Sequence, residues 1–113
     1  MIGQSLYILQ GRNVIPVSDK TFWVTWMLQN PVSPNRVLSF TKIADEMKVV
    51  TTFVGFNLQT EQGQPPLLFE TKIEGGWFDQ YLKRSSTYEQ AEAEHDRIVT
   101  RLRGYFRLVL PGS

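Results

Sequence analysis

The sequence predicts an α+β fold: an antiparallel sheet of about five strands packed on a C-terminal amphipathic helix, with a short Trp-rich helix near the N-terminus. Three observations predict it. From Arg36 to Ile73 the chain is rich in Val, Thr, Phe and Ile, which suit a pleated, half-buried surface. After Thr87 the apolar residues recur at helical spacing instead. At 113 residues there is room for one domain and one core, so residues 1–113 are expected to form a single α+β domain.

The elements follow in order. Leu6 to Gln10 and Val14 to Val17 flank Gly11-Arg12-Asn13, the signature of a hairpin, and Pro16 confines the second strand to an edge. Ser18 is placed to cap a helix from about Asp19 to Gln29, whose Phe22, Trp23, Trp26 and Met27 share one face. Asn30-Pro31 and Ser33-Pro34-Asn35 stop it. Arg36 to Ile43 and Met47 to Phe56 read as a second hairpin turning at Ala44-Asp45-Glu46. Neither face of its second strand is wholly polar, so both faces are expected to be covered. Asn57 to Pro66 has loop composition and the length of a functional or mobile loop. Leu67 to Ile73 alternates as a half-buried strand that Gly75-Gly76 ends.

In the last element Thr87 caps a helix with Gln90 three residues on. Ala91, His95, Ile98, Leu102 and Tyr105 follow at intervals of four, three, four and three, giving an amphipathic helix from about Tyr88 to Arg103 with Gly104 as its stop. Tyr105 to Leu110 is left open as helix or short strand. Glu89, Glu92, Glu94 and Asp96 fill the first half, and Arg97, Arg101, Arg103 and Arg107 follow behind.

Composition excludes several classes of function. Twelve basic against eleven acidic residues leave a formal charge of +1, so no global field draws the chain to nucleic acid or an anionic membrane. The absence of cysteine excludes disulfides and thiolate chemistry, and a single histidine excludes multi-histidine zinc sites. Met1 to Gln10 has no leader pattern, and no apolar run approaches the length of a membrane helix, so a soluble, cytoplasmic protein without a cofactor is expected.

One segment carries a resemblance. Val50-Thr51-Thr52-Phe53-Val54-Gly55 leads to Pro65-Pro66-Leu67-Leu68-Phe69-Glu70-Thr71, Gly75-Gly76 and Asp79. Arg84 then precedes Ser86-Thr87-Tyr88-Glu89-Gln90-Ala91-Glu92-Ala93 and His95. This run is similar to a family of small uncharacterised proteins encoded by tailed bacteriophages and prophages, in which V-S-T-V-F-L-G leads to P-P-L-L-F-E-T-M-V-F-G-G-P-L-D and R-Y-S-T-W-E-E-A-E-A-G-H. The chain departs from that pattern at Trp77 (proline in the family), Ser85 (tyrosine) and Glu94 (glycine). The resemblance implies a phage or prophage source and carries no activity with it.

The candidate chemistry is sparse. His95 lies on the apolar stripe of its helix, so a packed histidine bonded to a neighbouring strand is favoured over a catalytic one. An enzyme reading needs Glu70 or Asp79 to converge on it. Glu70 sits where a cross-strand ion pair with Lys48 or Lys42 is ordinary sheet chemistry. Gly75-Gly76 without a phosphate-loop pattern reads as a turn requiring positive φ. Trp77 to Arg84 is the densest aromatic and basic mixture. Its period of two reads as a strand with Phe78 and Leu82 in the core. That leaves Trp77, Tyr81, Lys83 and Arg84 as a partner-binding rim. The arginines from Arg97 to Arg107 read as a solvated face, offset by acids of the same helix.

These readings favour a phage- or prophage-encoded, non-enzymatic binding protein that acts in the host cytoplasm on a host protein or a nucleotide-like small molecule. A virion structural or accessory protein and a small hydrolase using His95 with Glu70 or Asp79 are the alternatives. A homodimer is expected, because a half-buried sheet leaves a second face of which the Trp-rich helix covers part, with solvent or a second copy over the rest.

Overall fold

The computed structural model describes residues 5–109. Strands β1 (Tyr7–Gln10) and β2 (Asn13–Pro16) form a hairpin, followed by helix α1 (Lys20–Gln29) and an irregular turn over Val32–Arg36 with a cis Ser33–Pro34 peptide bond. Strands β3 (Val37–Ala44), β4 (Met47–Phe53), β5 (Phe69–Glu74) and β6 (Leu82–Ser85) come next, and helix α2 (Tyr88–Val109) ends the described chain. β3-β4-β5-β6 is one antiparallel sheet in sequence order, and β1-β2 is a separate ribbon. The expected α+β architecture is present, with six strands in two sheets where about five in one were expected.

Period-two patterning aims the sheet at α2. On β4 Met47, Val49, Thr51 and Phe53 are buried, and on β5 Phe69, Thr71 and Ile73 are buried, while their neighbours are more open. Ala91, His95, Ile98 and Leu102 form the matching stripe of α2. The apolar core has two parts. One gathers Met47, Val49, Ile73, Ile98, Val99 and Leu102, and the other gathers Phe53, Leu68, Phe69 and Ala91. The shortest dimension of the molecule, 21 Å, is one sheet and one helix deep.

The ribbon and α1 join the second cluster. Tyr7 N–H donates to the Gly55 carbonyl (2.9 Å) and Asn57 N–H to that of Ser5 (2.9 Å), so β1 extends the exit of β4. The Trp23 indole N–H is shared between the carbonyls of Tyr7 (3.0 Å) and Gly55 (2.9 Å). Trp26 stands edge-on to Phe53 at 5.9 Å. These ties deliver α1 to the same side of the sheet as α2, which corrects the expectation that it covers the opposite face. That outer face is open among the described residues, with Phe40 59% exposed beside the Lys48–Glu74 and Arg84–Glu70 ion pairs. Glu70 thus pairs with Arg84 rather than Lys48 or Lys42, because the β5–β6 register sets those two opposite each other.

Other boundaries shift for local reasons. Asp19, not Ser18, caps α1, since its carboxylate accepts from Phe22 N–H (3.1 Å), and Phe22 itself turns to solvent. β4 ends at Phe53, and Gly55 follows at φ +90° with the Met27 sulfur 3.0 Å from where a Cβ would stand. The loop after it is ordered by Asn57, whose side-chain oxygen accepts from Gln59 N–H (2.8 Å) and Leu67 N–H (3.0 Å). Thr87 caps α2 as expected, accepting from Gln90 N–H (3.1 Å), but the helix runs through Gly104. Tyr105 and Phe106 pack beyond that point, which outweighs a glycine's cost of about 1 kcal/mol in a helix. Leu110 lies outside the described residues.

The expected strand from Trp77 to Arg84 is the largest correction. Gly75 and Gly76 have φ +86° and +73°, Gln80 has φ +77°, and the Asp79 carboxylate accepts from Gly75 N–H (2.7 Å). Trp77 to Gln80 is therefore a turn, whose end bonds back to Ile73 through Gln80 N–H and the Tyr81 carbonyl before the regular ladder starts at Leu82. Leu82 opposes Lys72 on the outer face, and both it and Phe78 are exposed rather than in the core.

Gly75 is the tightest of these positions, since a Cβ there would stand 1.6 Å from the Glu46 carbonyl oxygen. Gly63 has a similar φ of +83° with nothing within 4 Å. Gly75→Ala should therefore lower the urea-unfolding free energy by about 3 kcal/mol and Gly63→Ala by about 1 kcal/mol. Equal losses in the two variants would show that the close approach to Glu46 has no energetic weight.

Candidate functional site

His95 projects from α2 onto the middle of the inner sheet face and is 2% exposed. Its Nε2 lies 2.8 Å from Thr41 Oγ1 on β3, and its Nδ1 lies 2.8 Å from Thr51 Oγ1 on β4. Thr51 Oγ1 is in turn 2.8 Å from Thr71 Oγ1 on β5. A neutral imidazole satisfies this chain in either direction: one ring nitrogen donates to a threonine oxygen and the other accepts a threonine O–H. Burial pushes the imidazole below its ordinary value of 6.5, with neighbouring Asp96 opposing weakly. The structural reading of this histidine therefore has its partners.

The residues that an enzyme reading needs do not meet. Glu70 lies on the outer face, 3.2 Å from Arg84, while His95 is on the inner face. Asp79 is committed to the Gly75 turn, and the Gly75 N–H, with Gln80 beside it, holds its carboxyl below the usual carboxylate range. Both ring nitrogens of His95 already face threonine hydroxyls, leaving neither aimed at a substrate. Among the described residues no group of three His, Asp or Glu side chains is placed to hold a metal ion.

The four rim residues divide. Trp77 is 83% exposed on its turn and stands edge-on to Tyr105 with ring centroids 6.4 Å apart. Tyr81 is exposed on the α2 side, where its hydroxyl accepts from the Arg97 guanidinium (3.4 Å). Lys83 shares that side, opposite Thr71, and its charge reaches Glu94 on α2. Arg84 points to the other face and is tied to Glu70. Three of the four thus border α2, and Arg84 does not.

Sequence reasoning missed the partners that organise this end. Tyr105 meets Phe78 (5.5 Å), Trp77 and Phe106 (5.6 Å), forming an aromatic ridge where α2 passes the Gly75–Gly76 turn. Tyr105 stands on the apolar stripe by spacing, and that spacing is the signal in the sequence that points to it. A pocket of about 220 Å³ opens on the Trp77 side, lined by Met47, Gly76, Phe78 and Phe106 among others. A wider cleft of about 580 Å³ opens on the Tyr81 side. Tyr105 is the wall between them.

The acids of α2 do not offset its whole row of arginines. Glu89 and Glu92 take Arg12 from the hairpin, which also lies 4.4 Å over the Tyr88 ring, and Glu94 takes Arg97. Arg97 is raised and Glu94 lowered by that pair. Arg101, Arg103 and Arg107 make no ion pair with any described residue. No helix among the described residues is long and apolar enough to cross a membrane. No family model matches the chain, and neither a curated protein nor a solved structure matches it at a significant level.

The lowered affinity of His95 for a proton fixes the sign of a pH effect. Unfolded, the imidazole takes up a proton as pH falls through about 6.5; folded, it does so only at lower pH. The unfolded state then binds more protons, so this stabilisation is present above pH 6.5 and is lost as pH falls towards the folded value. Urea unfolding from pH 8 to 5 should show the parent losing more stability than His95→Gln as pH falls below 6.5. Parallel pH profiles would place a protonatable, unburdened histidine at this position.

Proposed function

We propose that the chain is a non-enzymatic binding protein of a tailed phage or prophage, acting in the bacterial host cytoplasm and engaging a host protein through Trp77 and the aromatic ridge beside it. The source and compartment rest on the resemblance of the Val50–His95 segment and on the absence of cysteine. The contact surface rests on Trp77. Its indole is 83% exposed, yet it leans on Tyr105 and sits on a turn clamped by Asp79. A large aromatic side chain held in place loses little further freedom on association, and Trp, Tyr and Arg dominate binding energy at interfaces. The pocket of about 220 Å³ beside it has room for one apolar side chain of a partner.

The arrangement favours binding over catalysis because His95, Asp79 and Glu70 are each spent on the fold or on an ion pair. Tyr81 flanks the ridge and belongs to the same surface, whereas Lys83 lies further back along α2, beside Glu94. Arg84 falls outside it, since it faces the other side of the sheet.

Affinity capture from a bacterial host lysate with the parent, Trp77→Ala and Arg84→Ala tests this directly. The parent and Arg84→Ala should retain one host protein that Trp77→Ala loses by about tenfold or more, with all three melting alike. A captured protein that Trp77→Ala keeps and Arg84→Ala loses would move the surface to the outer sheet face and refute the reading.

A further inference from the structure

The wider cleft, on the far side of Tyr105 from Trp77, has a composition of its own. Its floor is the edge of the apolar core, where the buried side chains of Ile73, Ile98 and Leu102 line it between β5 and α2. Phe78 and Tyr105 form one wall. Leu108, 85% exposed, stands at its mouth. A volume of about 580 Å³ lies within the range of small-molecule sites, which pair apolar walls with a few fixed polar groups.

The polar groups here are cationic. Arg97 and Arg101 both border the cleft, and no carboxylate of a described residue lines it. Arg97 is already engaged by Glu94 and the Tyr81 hydroxyl, whereas Arg101, one helical turn further on, makes no ion pair or hydrogen bond with any described residue. Arg103 and Arg107, on the opposite flank of α2, add positive potential and pair with no acid among the described residues. An uncompensated guanidinium at the rim of an apolar cleft matches a ligand with one anionic group and an apolar body. A nucleobase fits less well, because its polar edges would find only the Tyr81 hydroxyl and the guanidinium groups.

We propose that this cleft is a binding site for a small organic anion with a flat apolar body, which lies against Phe78 and Tyr105 over Ile73 and Leu102 while its carboxylate or sulfonate meets Arg101. The site rests on the reading of the chain as a non-enzymatic binding protein; it shares Phe78, Tyr81 and Tyr105 with the partner surface but turns on Arg101 and Leu108 instead of Trp77. Each can therefore fail alone.

The test titrates the full chain at pH 7 with 1-anilinonaphthalene-8-sulfonate and with the neutral N-phenyl-1-naphthylamine, following dye fluorescence. The sulfonate should bind at one saturable site, about tenfold tighter than the neutral dye, and be displaced by 1-naphthoate. Arg101→Gln should weaken the sulfonate about tenfold and leave the neutral dye unchanged, and Leu108→Ser should weaken both. Trp77→Ala should bind both as the parent does. Equal affinity for the two dyes, or parental affinity in Arg101→Gln, would remove the anion from the assignment. Adenosine monophosphate displacing the dye more strongly than 1-naphthoate would replace the apolar body by a nucleotide, and loss of binding in Trp77→Ala would move the site to the other side of Tyr105. Either overturns the proposal.

Discussion

His95 crosses from α2 to the centre of the sheet, where hydroxyls of Thr41 and Thr51 meet its two ring nitrogens and Thr71 extends the chain to a third strand. A buried imidazole without these partners would cost about 1 to 3 kcal/mol, so the helix and the strands must adopt the one arrangement that supplies them. The network also falls between the two apolar clusters. On β4 the order is Val49, Thr51, Phe53; on β5 it is Phe69, Thr71, Ile73; on α2 it is Ala91, His95, Ile98. Apolar contacts on either side tolerate sliding of a residue pair against its neighbours, but the polar layer does not. A shift of β4 by two residues would set Val49 or Phe53 beneath the imidazole.

Fixing the rotation of α2 fixes what its far end presents. Tyr105 continues the stripe of Ile98 and Leu102, and so it arrives where the Gly75–Gly76 turn folds back. The turn then sets Trp77 and Phe78 on two sides of one ring. Because α1 joins the same side of the sheet at the opposite end, it leaves Trp77, Phe78 and Leu108 uncovered at the Tyr105 end of α2. The ion pairs sharpen that division. Glutamates of the first half of α2 bind Arg12 and Arg97, and the arginines of the last turns pair with no acid among the described residues.

Much of this was legible in the residues because burial imposes a period. The alternation along β4 and β5, the Gly-centred hairpin and the four-three-four spacing of α2 each record one buried face. The packed role of His95 followed from its place on that stripe. Its partners did not, since threonines suit strands whether or not they bond anything. The failures have a common cause: local patterns say nothing of what a segment meets. Trp77 to Arg84 alternates like a strand, yet Gly75 must bring its backbone against Glu46, and the chain has to turn before it can pair again. Gly104 reads as a stop only while the aromatic contacts of Tyr105 and Phe106 are out of view. The side of the sheet that α1 takes depends on Trp23 reaching Tyr7 and Gly55, a contact that spans nearly the first half of the chain.

The account stands on a neutral imidazole held between two hydroxyls, and nitrogen chemical shifts of a ¹⁵N-histidine-labelled chain observe that state directly, because His95 is its single histidine. The two ring nitrogens should give well-separated shifts, one protonated and one bare, that stay unchanged from pH 8 down through pH 6. A pair of shifts that converges with an ordinary titration near 6.5 would mean a solvated, protonatable ring, and the polar layer would then have no part in setting the fold.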